Sequence, residues 1–110
     1  MKIDKCYLFG KEFYCEVEYD EESFSLQFGD GELFDKEGDS YYIYCYYDFF
    51  KEYIVIQIVY EDFYDRVYYE EVGKEMEIKD TFLQKDTIFE IVREFKKNLQ
   101  ILKNEILQEN

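Results

Sequence analysis

The side chains with the means to do chemistry are carboxylates, phenols and three thiols, and the 110 residues include no histidine. Without His there is no Ser–His or Cys–His nucleophilic pair, and the common zinc and iron ligand sets are missing. Cys6, Cys15 and Cys45 are odd in number and show no CxxC spacing. They read as neither a disulfide framework nor a zinc site, and reduced thiols on strand faces are the expectation. An activated thiolate needs a cation beside it, whereas the field here is acidic. Carboxylate pairs are so numerous that none stands out as an acid–base couple. The expectation is a non-enzymatic chain that needs no cofactor and no metal.

Calcium is the one cation with a candidate. Asp30, Glu32, Asp35, Glu37 and Asp39 cluster in GDGELFDKEGDS (29–40), and hard cations prefer such oxygens. The spacing departs from the twelve-residue EF-hand loop, which wants Gly sixth and a distal Glu. An exposed, solvated loop is expected there.

The acids matter more as a surface. Net charge is −14, and residues 87–110 balance four basic against four acidic side chains, so the whole excess lies in residues 1–86. Residues 16–39 hold ten acids (Glu16, Glu18, Asp20, Glu21, Glu22, Asp30, Glu32, Asp35, Glu37, Asp39) against Lys36. Such a field repels phosphate backbones and attracts a basic protein or a cation. Glu16 and Glu18 should project from one face of a strand, about 6.7 Å apart. Carboxylates at that pitch resemble a strip of phosphates and suit a basic groove. The plainer reading is solubility, because surface acids keep a Tyr-rich sheet from sticking edge to edge.

Rings are the second unusual feature. Thirteen Tyr and eleven Phe make 22% of the chain aromatic, and thirteen rings fall within residues 41–69. Tyr combines an apolar body with a polar tip and suits a half-buried face or an interface.

The elements that must position these groups follow from periodicity. Period-two alternation runs to about residue 79. KIDKCYLF precedes a turn at Gly10-Lys11, and FYCEVEY (13–19) puts Phe13, Cys15, Val17 and Tyr19 on one face. FSLQF (24–28) turns Phe24, Leu26 and Phe28 inward and Ser25 and Gln27 outward, completing a hairpin across Asp20-Glu21-Glu22-Ser23. YYIYCYY (41–47) and YIVIQIVY (53–60) are strands rich in aromatic and β-branched residues. The second has Ile54, Ile56 and Ile58 on one face and Tyr53, Val55, Gln57 and Val59 on the other, as expected of a central, covered strand. RVYYEEV (66–72) and EMEIK (75–79) predict a last hairpin around Val72-Gly73-Lys74.

The period then changes. Thr87 and Glu90 fit a capping box, and Ile88, Val92, Phe95, Leu99, Leu102 and Ile106 recur at spacings of four and three. This predicts a helix over 87–109, with Ile88, Val92, Phe95 and Leu99 buried and about two turns overhanging the sheet. The expected fold is therefore α+β: one domain over 1–110, with an antiparallel meander of about six or seven strands in 1–80 and one long C-terminal helix packed on it. One helix covers one face, so tyrosines from 41–47, with Tyr42, Tyr44 and Tyr46 on a common face, should remain accessible.

These features predict a non-enzymatic protein that binds and inhibits a basic, nucleic-acid-acting protein. The contacts assigned are Glu16, Glu18, Asp20, Glu21, Glu22, Asp30, Glu32 and Asp35, with Tyr42, Tyr44 and Tyr46 as anchors. In profile the chain resembles small acidic anti-defence proteins such as anti-CRISPRs, and immunity proteins that neutralise bacterial toxins; the likeness transfers no residue roles. Two other readings are a small-molecule sponge using Lys51, Arg66 and Lys74 beside the rings, and a structural module that dimerises through the helix around Leu102, Ile106 and Leu107. MKIDKCYLFGKEFYCEVEYD lacks the apolar run of a signal peptide, and charges interrupt every apolar stretch, so a cytoplasmic location away from membranes and nucleic acid is expected.

Overall fold

The computed structural model describes residues 3–29, 41–60, 63–74, 76–79, 81 and 83–109, the last three by their backbone only. The chain begins with a hairpin of β1 (Lys5–Leu8) and β2 (Lys11–Tyr14). Its turn is Phe9-Gly10, one residue earlier than Gly10-Lys11, with φ of 52° and 77°. Positive φ at both central positions is the type I′ geometry that matches strand twist. Gly10 adopts it freely, whereas Phe9 does so against the steric preference of an L-residue.

The uninterrupted alternation of residues 13–19 conceals a change of sheet. β2 belongs to a two-stranded sheet with β1, and β3 (Glu16–Tyr19) belongs to a six-stranded one. Cys15 lies between them, its amide donating to the Asp4 carbonyl at 2.9 Å. Phe13 is buried and Val17 packs against the core, but Tyr19 is exposed.

The larger sheet continues through β4 (Ser23–Gly29), β5 (Tyr41–Asp48), β6 (Tyr53–Tyr60), β7 (Phe63–Glu71) and the two-residue β8 (Glu77–Ile78). Its strands neighbour one another in chain order and every pair is antiparallel, so it is a meander. Three cross-strand rows face inward: Phe24–Tyr47–Ile54, Leu26–Cys45–Ile56 and Phe28–Ile43–Ile58, all buried. β7 adds Val67 and Tyr68, and a bulge makes both of them core residues. Ile56 pairs with Tyr68 and Gln57 with Arg66, leaving Val67 as the extra residue, and both Val67 and Tyr68 are 1% exposed.

Helix α1 (Lys85–Glu109) covers this inner face, giving the α+β arrangement. Ile88, Val92, Phe95 and Leu99 are buried as the stripe requires, with Ile91 and Leu102 beside them. Phe95 stacks on Phe24 at 5.3 Å between centroids and 10° between planes. The helix begins two residues before Thr87, so Thr87 is not its cap. Glu90 turns instead to Arg93, and the Phe9 backbone beside it helps Arg93 hold its carboxyl below the usual value. One turn later the buried Glu94 accepts the Tyr7 amide at 3.0 Å. Carboxylates four apart on a helix repeat every 6.0 Å or so, and alternate amides of a strand every 6.7 Å or so. Glu94 therefore caps an outward N–H of the β1 edge, with Glu90 one turn earlier beside Phe9, and a bare strand edge invites foreign pairing.

The far end of the helix does not overhang as expected. Leu102 is 1% exposed, Ile106 packs against the core, and Lys103 lies over the Tyr47 ring at 4.9 Å. Leu102 is thus spent on the protein's own sheet and Ile106 is half-buried; the Leu107 side chain is outside the described residues. No described helix is long and apolar enough to cross a membrane.

Candidate functional site

A meander with one face under a helix presents the other face to solvent. Here that face carries a cross-strand row Glu18–Ser25–Tyr46–Val55–Tyr69–Glu77, running from β3 to β8. Beside it runs Glu16–Gln27–Tyr44–Gln57–Arg66. No described element packs over these rows, and Tyr44, Tyr46, Tyr53 and Tyr69 are partly exposed. Strand β6 is therefore central, as its composition suggests, but covered on its Ile face alone.

The rings touch in sequence across three strands. Tyr44 stacks on Tyr46 at 6.4 Å, Tyr46 meets Tyr53 at 5.9 Å, and Tyr53 meets Tyr69 at 5.6 Å. The Arg66 guanidinium closes the series 5.0 Å above Tyr69 and pairs with Glu77 at 3.4 Å. Such ring pairs add about 0.5–1.5 kcal/mol each beyond burial, so the ladder is a rigid surface. Partial desolvation raises the Tyr46 pKa, helped by Tyr53 and Asp48, and desolvation with Glu71 raises that of Tyr69. Both remain neutral phenols that can donate hydrogen bonds. Gly29 continues the face beside Tyr42, where an added Cβ would sit 2.8 Å from the Tyr42 Cβ.

The expected contact residues separate into three groups. Glu16, Glu18, Tyr42, Tyr44 and Tyr46 come together on this face, the two acids on the edge strand and the tyrosines on β5. Asp20, Glu21 and Glu22 lie at the β3–β4 turn, at the end of the sheet. Asp20 has a local task there, accepting the Glu22 and Ser23 amides at 2.7 and 2.9 Å. Asp30, Glu32 and Asp35, and with them the cation loop that includes Glu37 and Asp39, lie outside the described residues. The expectation left out Tyr53 and Tyr69. Tyr53 was legible from the mixed face of its strand, but Tyr69 joins the ladder only through the bulge at Val67. Ser25 is also unlike its expectation: it points outward yet is 8% exposed, sunk between Glu18 and Tyr46.

Two of the three cations wanted by a nucleotide sponge, Arg66 and Lys74, are engaged. Arg66 is held by Glu77, and Lys74 by Glu71 at 2.9 Å. On the helix side a groove of about 880 Å³ lies between the β7–β8 hairpin and α1. Its basic residues include Arg93 and Lys96, which pair with Glu90 and Glu70. Comparison with protein-family models, with curated proteins and with solved structures finds no match.

The thiols sit behind the face. Cys6 and Cys45 are buried and Cys15 is half-buried. A hydrogen bond from Cys6 lowers the Cys15 pKa against the effect of burial, and Cys6 is correspondingly raised. Burial pushes Cys45 up. Among the described residues no three His, Cys, Asp or Glu side chains are grouped to hold a metal.

Proposed function

We propose that this protein is a non-enzymatic binding module that docks a basic protein surface on its open sheet face and occludes it, with nucleic-acid-acting proteins as the partner class. The observation carrying this reading is the tyrosine ladder 44–46–53–69, left accessible on the face opposite the helix-covered core and edged by Glu16 and Glu18. Rigid rings lose little side-chain entropy on binding and serve often as interface anchors. Rim carboxylates steer a cationic partner and speed association more than they add affinity. The strongly negative charge supplies the long-range field, and the same field argues against a nucleic-acid ligand.

Chemical footprinting tests the reading. Iodination of the free protein should reach Tyr44, Tyr46, Tyr53 and Tyr69 on the face, and also exposed Tyr7 and Tyr14 on the hairpin. A basic partner captured from lysate should protect the four ladder tyrosines and leave Tyr7 and Tyr14 reactive. Protection confined to the hairpin or the helix would refute the assignment.

A further inference from the structure

We infer that the β3–β4 edge of the open face holds a socket for one arginine side chain of the partner, built from Glu18, Ser25 and Tyr44. This rests on the docking surface proposed above and names the chemistry of its central contact. A depression of about 510 Å³ opens there, lined by these three residues among others. Its origin is a size contrast within one row. Ser25 is the small residue between Glu18 and Tyr46, so strands β3 and β5, roughly 9.6 Å apart across β4, stand as walls on either side. Ser25 is buried, at 8% exposure, and lines the floor of the depression. The Glu18 carboxylate at the rim has no cationic partner among the described residues, whereas Glu16 is held by Gln27 at 2.7 Å.

The opposite edge of the same sheet shows the occupied arrangement. Arg66 stacks over Tyr69 and pairs with Glu77, the acid directly across from that tyrosine. Ring, carboxylate and guanidinium complete one another there. At the β3 edge a ring and a carboxylate stand with a gap between them and no guanidinium. A planar guanidinium stacks on an aromatic face and presents several donors at once, matching a carboxylate and a hydroxyl together. A lysine ammonium carries the same charge without the plane, so the socket should prefer arginine.

The test uses the full chain titrated with hexa-arginine and hexa-lysine peptides at low salt, followed by amide chemical shifts. Hexa-arginine should bind roughly tenfold tighter, with shifts centred on Glu18, Ser25 and Tyr44. Glu18→Gln and Ser25→Val, which fills the gap, should each bring the two peptides to about equal affinity. Asp65→Asn, an equal loss of charge away from the socket, should leave the preference intact. If Ser25→Val fails to fold, Glu18→Gln alone decides. Equal binding of both peptides, with Glu18→Gln silent but Tyr46→Ala still weakening them, removes the socket and leaves the docking face standing. If neither peptide binds the open face, the socket and the docking surface fall together.

Discussion

Phe95→Ala is the sharpest test of how the helix is held. The ring is 1% exposed and lies nearly parallel to Phe24, itself fully buried. Truncation removes the apolar transfer energy of the ring, abandons a stacked partner and leaves a cavity between helix and sheet. Core Phe→Ala changes of this kind cost about 3–5 kcal/mol. At about 0.05–0.15 kcal/mol per residue, a chain of 110 residues has roughly 5–16 kcal/mol in total, so the variant should lose a large share of its stability. Urea denaturation followed by circular dichroism reads this directly. With a slope of about 2 kcal/mol per molar, the midpoint should fall by about 1.5–2.5 M at unchanged slope. Phe24→Ala should behave alike, and the double variant should cost less than the sum, because the two rings share one contact. Phe63→Ala, on a ring 79% exposed, should stay within about 0.5 kcal/mol of the parent. If Phe95→Ala matched Phe63→Ala, the helix would not be packed on this face and the architecture would be wrong.

Gly29→Ala should destabilise by about 1–3 kcal/mol, because its methyl would meet the Tyr42 Cβ at 2.8 Å on a paired strand; the same denaturation assay measures it. Native alkylation with iodoacetamide should label Cys15 first, and Cys6 and Cys45 only in denaturant, as read by mass spectrometry. For Glu90, the Arg93 guanidinium holds the carboxyl below its ordinary value near 4.5; for Glu70, burial opposes but the bonds from Tyr68 and Lys96 prevail. The unfolded chain then binds more protons just below that pH, so the stability from these contacts is present above about pH 4.5 and lost as pH falls through the lowered values. Carboxyl NMR titration should show both midpoints below those of Glu70 and Glu90 in urea.

The elements were legible where one periodicity rules. The four-and-three spacing from Ile88 to Leu102 announces the buried helix face, and the alternation of residues 41–47 sorts its tyrosines correctly between the two faces. What escaped depends on partners distant in sequence. The capping box at Thr87 is defeated because the helix starts earlier, at Lys85, with Glu90 turned to Arg93 and lying beside the folded hairpin at Phe9. The change of sheet at Cys15 leaves the alternation unbroken, so nothing local marks it. The bulge at Val67 follows from registry with β6, and without it neither Tyr69 in the ladder nor the double burial of Val67 and Tyr68 can be foreseen. For the candidate site, the acids and tyrosines of β3 and β5 could be read from their strands, but the depth of Ser25 is a property of its neighbours across the sheet.

The most direct test of the docking claim is a series of association and dissociation rates with the captured basic partner, for Glu16→Lys/Glu18→Lys and for Tyr46→Ala, from low to high salt. The Debye length shrinks from about 10 Å at 0.1 M to about 3 Å at 1 M, so association driven by the acidic edge should slow steeply with salt. The double reversal should slow association several-fold with little change in folding stability, since both side chains are exposed. Tyr46→Ala should mainly speed dissociation, because it removes the middle of the ring ladder. Association and dissociation rates indifferent to salt, to the reversals and to Tyr46→Ala would contradict the account and assign the open face to solubility alone.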